Sequence, residues 1–455
     1  MSMTAPVERR VIEALETLGA ATLPDVATEA GKQLIMDWLG CLLIGAEAAP
    51  ATALVAAHAD EIGHGKATCF VGPTVCHPGL AALISGTASH TIELDDIYSP
   101  ALYHPGVCVI SAALAASQLA AAPGDRFLRA VIAGYEISNR IGAGVNPDHY
   151  KYWHTTGTVG TFGAAIAAGI AFGLNAKQMA DAIGNAASMA AGLQQAFRSD
   201  GMTKPLHAGR AAEAGLLAAR IARSGFTGSS DMISGPVGFV RAMSHGRDIA
   251  GKFDDLMSQW TVTRSMYKRF SSCGHIAAPI DVAMDLSQRG KIDPAEIARI
   301  DVATYAVALQ AAGIIKPTSV FEAKFSLPFC VAASLLGHDL TDPTSFERLY
   351  ADRDIASLID KVTLAEDGQI TAAFPKLRGG RVLITMKDGT VHADVAVTRK
   401  GEPTNPFTAT ELREKFRRLA GATRHRGNVD AWLAWIDALP RGVSVAHEAL
   451  PTEAH

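Results

Sequence analysis

The stretch Gly106–Ala122, GVCVISAALAASQLAAA, decides the fold. It is apolar on almost every side of a helical turn, so it reads as a helix enclosed by other helices, not one lying on a surface. Pro78–Ile92 is built the same way, and Lys32–Leu43 (KQLIMDWLGCLL) carries apolar residues at helical spacing up to a stop at Gly45. Asn175–Ala191 opens on an Asn that can cap a helix, and Ala211–Ser224 is a further Ala-rich amphipathic run. From Val7 to about Met243 the pattern is helical nearly throughout. The glycines of Gly157-Thr-Val-Gly160-Thr-Phe-Gly163 recur every three residues, but no Lys-Ser/Thr follows, as a phosphate loop would need. Close helix packing is the reading that remains.

After about Thr261 the periodicity changes. Ala298–Ala306 alternates as a strand does, and Val362–Ala365 and Val382–Met386 read as further strands. Lys387-Asp-Gly-Thr390 predicts a hairpin turn, because Asp-Gly tolerates positive φ, and Val391–Thr398 completes the hairpin. Helices intervene at Ala277–Gln288, Ser326–Leu336 and Pro343–Leu349, and the helical pattern returns at Thr410–Leu419 and Asn428–Leu439. The expected fold is mainly α: a large all-helical domain (1–262 and 402–455) with a smaller α+β lid domain (263–401) inserted before the C-terminal helices.

Composition supports two packed cores. The chain has 455 residues, 48% hydrophobic and 19% charged, and only 6% aromatic, so small aliphatic side chains do most of the packing. A formal net charge of -4 without a basic block leaves no footprint for nucleic acid. Six scattered cysteines (Cys41, Cys69, Cys76, Cys108, Cys273, Cys330) form no C-x-x-C pair and no zinc-type spacing, so no metal is expected. Met1–Arg10 lacks the apolar core of a secretion signal, and free thiols in the cytoplasm are the expectation. Val107–Ala122 and Gly163–Leu174 fall short of the ~20 residues that span a bilayer, so no membrane association is expected. No dinucleotide fingerprint opens a strand–helix unit in the helical half.

Four polar constellations interrupt this apolar chain. Glu93-Leu-Asp95-Asp96, with His104-Pro105 eight residues on, is costly to bury unless the charges are solvated or paired. Its simpler reading is a cap for the helix starting near Gly106. His149-Tyr150-Lys-Tyr-Trp-His154 offers acids and bases that suit proton transfer near neutrality. Met202-Thr-Lys204-Pro-Leu-His207 places a lysine beside a helix expected to start near Ala208, where an anion is favoured. Tyr267-Lys268-Arg269-Phe-Ser-Ser-Cys273-Gly-His275 sits where the two patterns meet; Lys268 and Arg269 can neutralise carboxylates, Arg in bidentate fashion. A Cys273–His275 nucleophile pair and a buried, inert thiol are both open. Rich in His, Lys, Arg and acids but poor in nucleophile and metal signatures, the set fits proton abstraction beside a carboxylate on a small polyanion.

At these motifs the chain resembles the MmgE/PrpD family, which includes 2-methylcitrate dehydratase, cis-aconitate decarboxylase and iminodisuccinate epimerase. The likeness runs through Asp37-Trp-Leu-Gly40, Leu94-Asp-Asp96 with His104-Pro105, Trp153-His154-Thr, Met202-Thr-Lys-Pro-Leu-His207, Lys268 to Gly274, Glu322-Ala-Lys-Phe-Ser326 and Gly401-Glu-Pro. The resemblance implies a homodimer, catalysis without metal or organic cofactor, and a di- or tricarboxylate substrate. Carried over, His104, His154 and Lys204 are similar to family active-site positions, with Asp95, Asp96, His207 and Lys268 near them; Glu93 and Cys273 also stand at site positions. The chain departs from the pattern at Ile97, where a small hydroxyl residue is expected, at Cys273, where the decarboxylase has a His, and at Ala277. The expected activity is a hydro-lyase of the 2-methylcitrate dehydratase kind, with His154 or Lys204 moving the proton and His104 as partner. Epimerisation using Tyr150 and Lys204, cis-aconitate decarboxylation, and a catalytically silent carboxylate-binding relative are the alternatives.

Overall fold

The computed structural model describes residues 6–72, 74–198, 201–290 and 292–452; the N-terminal reading above lies outside these for residues 1–5. Chain contacts divide it into two compact units, Met1–Met266 with Thr408–His455, and Tyr267–Phe407. The sequence had suggested boundaries at 262/263 and 401/402.

The first unit is helical. In chain order it holds α1 (Pro6–Ala20), α2 (Asp25–Gly45), α3 (Ala49–Ala57), a small antiparallel pair β1 (Ala67–Cys69) and β2 (Thr74–Cys76), then α4 (Pro78–Thr91), α5 (Pro105–Ala120) and α6 (Gly124–Val145). It continues with α7 (Thr155–Phe172), α8 (Ala176–Met189), α9 (Thr203–Arg223) and α10 (Phe239–Met243). Asn175 caps α8 as expected, in a reciprocal box with Gln178.

At the centre stands α7, packed against α5, α6, α8 and α9. By length and composition it could cross a membrane, but 89% of that stretch is buried inside the unit, as a core helix is. Its glycines serve contact. A Cβ on Gly160 would come within 2.5 Å of Cys108 Sγ on α5, and one on Gly157 within 3.2 Å of His207 Cβ on α9. Where α4 meets α9 the approach is closer still, since a Cβ on Gly209 would lie 2.2 Å from Leu83 O. Small residues thus set the helices at a separation that larger ones would forbid.

In the second unit α11 (Ala277–Gln288) precedes β3 (Ile297–Thr304); α12 to α16 follow at Ala306–Ala312, Val320–Lys324, Leu327–Leu335, Ser345–Leu349 and Arg353–Ile359. β4 (Val362–Glu366), α17 (Gly368–Ala373), β5 (Gly380–Met386) and β6 (Val391–Ala396) complete it. The sheet order is β4-β3-β5-β6, with β3/β4 parallel and the other pairs antiparallel. Ile300, Val302, Val382 and Ile384 point from it into a core shared with α11 and α14. The hairpin expected at Lys387–Thr390 forms between β5 and β6. Only Gly389 has positive φ, at 88°, and Met386 N donates to Thr390 O while Gly389 N donates to Met386 O. This is a loop with a left-handed glycine.

The chain then returns to the first unit as α18 (Ala409–Gly421) and α19 (Val429–Ala438). Lys415 on α18 fixes that return: its ammonium, buried, lies 2.5 Å from Asp37 Oδ1 and 2.8 Å from Leu94 O. A buried ion pair holds geometry only when both charges are satisfied, and here it anchors the loop that carries Asp95 and Asp96.

Candidate active site

Four helix ends in the first unit bring most of the singled-out residues together. His104 and His154 are the residues just before α5 and α7, Lys204 stands in the first turn of α9, and His90 lies in the last turn of α4. None of the three N-terminal positions is capped by its own side chain. Three helix N-termini therefore point partial positive charge toward one region.

Asp95 holds the first part of the site. Its Oδ2 accepts from His90 Nδ1 at 2.8 Å and lies 2.7 Å from His104 Nδ1, although this second contact lacks the geometry of an aligned hydrogen bond. Burial alone would push the carboxyl up; the two imidazoles more than offset this and hold it well below the usual range. His90, fully enclosed, is brought down to about 4 by burial, with Lys204 and His104 adding to the effect against Asp95. Its Nε2, and Oδ1 of Asp95, are buried with no hydrogen-bond partner among the described residues. Such orphaned polar atoms are rare in cores and mark a place built for something other than packing.

Asp96 is a different residue in kind. Its carboxylate takes the Tyr135 hydroxyl at 3.1 Å and the Gly106 N–H at 3.2 Å, so it serves the first turn of α5, and burial followed by Asp37 and Asp95 pushes its carboxyl well up. The capping interpretation of this acidic run holds for Asp96.

His154 is buried and stacks on His90 at 5.7 Å between ring centres. Its Nδ1 lies 3.1 Å from His207 Nδ1, so one of the two rings must carry its proton there and donate to the other. Burial lowers both, His154 well below its usual value, with Lys204 adding to the effect on each. Phe197 packs edge-on to His154 at 4.8 Å, and both Lys204 Nζ (5.4 Å) and the Tyr150 ring (6.5 Å) approach the same phenyl group.

Lys204 departs from the sequence reading in its backbone. The helix starts at Thr203, not near Ala208, so Lys204 is helical and Pro205 sits inside the first turn, where a missing N–H costs nothing. Its side chain is buried and its ammonium contacts Glu93 Oε1. Burial opposes that charge, but Glu93, by field and hydrogen bond, raises the lysine above its ordinary value. Glu93 reaches it from a left-handed conformation, φ 59°, unusual for a residue with a side chain and affordable where the surroundings enforce it.

Lys268, Arg269 and Cys273 belong to the second unit. Arg269 is engaged by Asp281 at 2.7 Å, and Cys273 is buried with its N–H on Lys324 O. His275 Nδ1 meets Tyr305 Oη at 2.8 Å, and burial, then Arg378 and Arg399, lower this imidazole to about 3.

His90, Asp95 and His104 each offer a ligand atom within 4.8 Å of the others. Two ligands around a tetrahedral zinc lie roughly 3.3 Å apart. The 2.7 and 2.8 Å contacts here are shorter than that spacing, so the cluster as it stands fits a set of acid–base groups better than a metal cage. Sequence reasoning missed His90 and Phe197; for His90 the available signal was its position five residues before Asp95.

Residues 10–252 match the MmgE/PrpD N-terminal domain and residues 270–433 the MmgE/PrpD C-terminal domain. The chain belongs to the MmgE/PrpD family. Among its relatives in that family are the cis-aconitate decarboxylase of Aspergillus terreus, 25% identical over 90% of this chain and 89% of the relative, and that of Homo sapiens, 27% identical over 93% and 87%. A cis-aconitate decarboxylase-like protein of Aspergillus oryzae is 26% identical over 89% of this chain and 88% of its own. At the family level these relatives support a lyase.

Proposed function

We propose that this MmgE/PrpD protein is a lyase that moves a proton at the carbon next to a carboxylate of a small di- or tricarboxylic acid, with dehydration as its reaction. The observation that carries the proposal is the ionised Asp95 carboxylate lying between the imidazoles of His90 and His104. A carboxylate beside Nδ1 favours the proton on that nitrogen and leaves Nε2 of His104 as the base. The base takes the C–H proton, the C–H electron pair forms the double bond, and the leaving hydroxyl departs as water on receiving a proton from Lys204. Charge that builds up on the substrate carboxylate meets the Lys204 ammonium and the amide ends of α5, α7 and α9. His154 and His207, neutral at physiological pH, supply hydrogen bonds and not charge. Lys268 remains a proposed carboxylate binder. Arg269 is a weaker choice, since Asp281 already occupies it.

The names of the relatives favour a second reading, decarboxylation, in which carbon dioxide leaves and the resulting carbanion takes a proton from the same groups. A homodimer in the cytoplasm belongs to the same proposal. Incubating the protein with citrate-like and aconitate-like acids distinguishes the outcomes. New ultraviolet absorbance from an alkene supports dehydration, and released carbon dioxide supports decarboxylation. Deuterium exchange at the α-carbon without either product would replace both with epimerisation.

A further inference from the structure

We propose that Cys69 and Cys76 form a redox-sensitive dithiol site, in which a peroxide oxidises Cys69 and Cys76 closes a disulfide on it. The register of the small antiparallel pair pairs Ala67 with Cys76 and Cys69 with Thr74. Residues two apart on a strand share a face, so Cys69 and Cys76 lie diagonally on the same side of the ribbon. Both are reduced and buried. Arg424 clamps the turn that follows Cys69: its guanidinium donates to the carbonyls of Phe70 and Val71.

The surroundings make the two sulfurs unequal. A hydrogen bond from Cys76 favours the Cys69 thiolate against the effect of burial, the amides of Val71 and Gly72 and the Arg424 charge add to it, and Cys69 is lowered to about 7. Cys76 is raised, first by the same partner and then by burial. The arrangement is that of an attacking and a resolving cysteine. By contrast, burial pushes the thiols of Cys41, Cys108 and Cys330 up.

The chemistry balances with hydrogen peroxide as oxidant. The Cys69 thiolate attacks one peroxide oxygen, the O–O bond breaks, and sulfenic acid and hydroxide form. The Cys76 sulfur then attacks the Cys69 sulfur, the S–O bond breaks, and water leaves with the thiol proton. Closure needs the two Cβ atoms to come to about 3.8 Å, and since diagonal neighbours start farther apart than that, the ribbon must shift its backbone to form the bond.

The test treats the intact protein with dilute hydrogen peroxide and maps its thiols by mass spectrometry. The expected result is a Cys69–Cys76 disulfide, reversed by dithiothreitol, forming at least about tenfold faster than any oxidation of Cys41, Cys108 or Cys330. In Cys76→Ser, Cys69 should stop at a sulfenic acid that dimedone traps; in Cys69→Ser, Cys76 should stay reduced. The mapping of the unmodified sequence decides even if a variant folds poorly. Oxidation spread evenly over the cysteines, or Cys69 and Cys76 modified without a bond between them, would overturn the proposal.

Discussion

Asp95 and Asp96 are adjacent and chemically opposite, and the difference lies in what each faces. Asp95 meets two imidazoles and stays ionised; Asp96 is pushed toward its neutral form by burial and by the nearby Asp37 and Asp95, against the hydrogen bonds from Tyr135 and Gly106. Asp95→Asn should therefore lower turnover by at least ~100-fold with little change in circular dichroism, since it removes the charge that orients His104. Normal turnover in that variant would remove His104 from the role of base. Lys204→Met should also cost ~100-fold in turnover, but it leaves Glu93 without its buried cation, so stability should fall by about 3 kcal/mol. Combining it with Glu93→Gln should return much of that stability and none of the activity; urea unfolding of the unmodified protein, the two single variants and the double variant measures the first, and turnover assays measure the second. His104, His154 and Lys204 stand out in the sequence because polar clusters separate apolar stretches there, and the structure gathers them at helix N-termini. His90 offered only its place five residues before Asp95, since it sits inside the apolar run Pro78–Ile92, where a lone His reads as core. Glu93 as the partner of Lys204 depends on a left-handed backbone that the sequence does not signal.

Among the elements, the small residues of α4 and α9 determine how closely His90 and Lys204 can approach one another. Gly209→Ala should destabilise by about 2 kcal/mol, because its new carbon meets the Leu83 carbonyl and the Thr87 hydroxyl and the helices must part. Gly421→Ala, which meets nothing within 4 Å at the end of α18, is the control and should be near neutral. Equal melting temperatures for the two variants would contradict this packing account. Helices were recognisable from their apolar period, and the strands β3, β4 and β5 from alternation. What sequence missed was local: α9 begins five residues earlier than expected because Pro205 is tolerated in a first turn.

For the whole molecule, buried neutral histidines tie stability to pH. His90 and His149 in the first unit are lowered to about 4 and His275 in the second to about 3, each by burial first, from 6.5. The unfolded chain takes up protons below about pH 6.5 that the folded chain refuses until it nears pH 4. This contribution is thus complete above pH 6.5 and lost as pH falls through that window, by on the order of 1–3 kcal/mol per histidine. Urea midpoints should drop between about pH 7.5 and pH 5; a flat profile would contradict the burial of these rings as neutral groups. The sequence pattern changes from helical to mixed after about Thr261, and the chain's contacts divide between Met266 and Tyr267. The central claim remains that Asp95 and His104 together move a proton next to a carboxylate. The measurement that tests it most directly is proton NMR in deuterium oxide of a panel of di- and tricarboxylic acids with the unmodified protein and with Asp95→Asn. The account expects at least one acid to lose or exchange its α-proton with the unmodified protein, and ~100-fold more slowly with the variant. Exchange at equal rates in both proteins would contradict it.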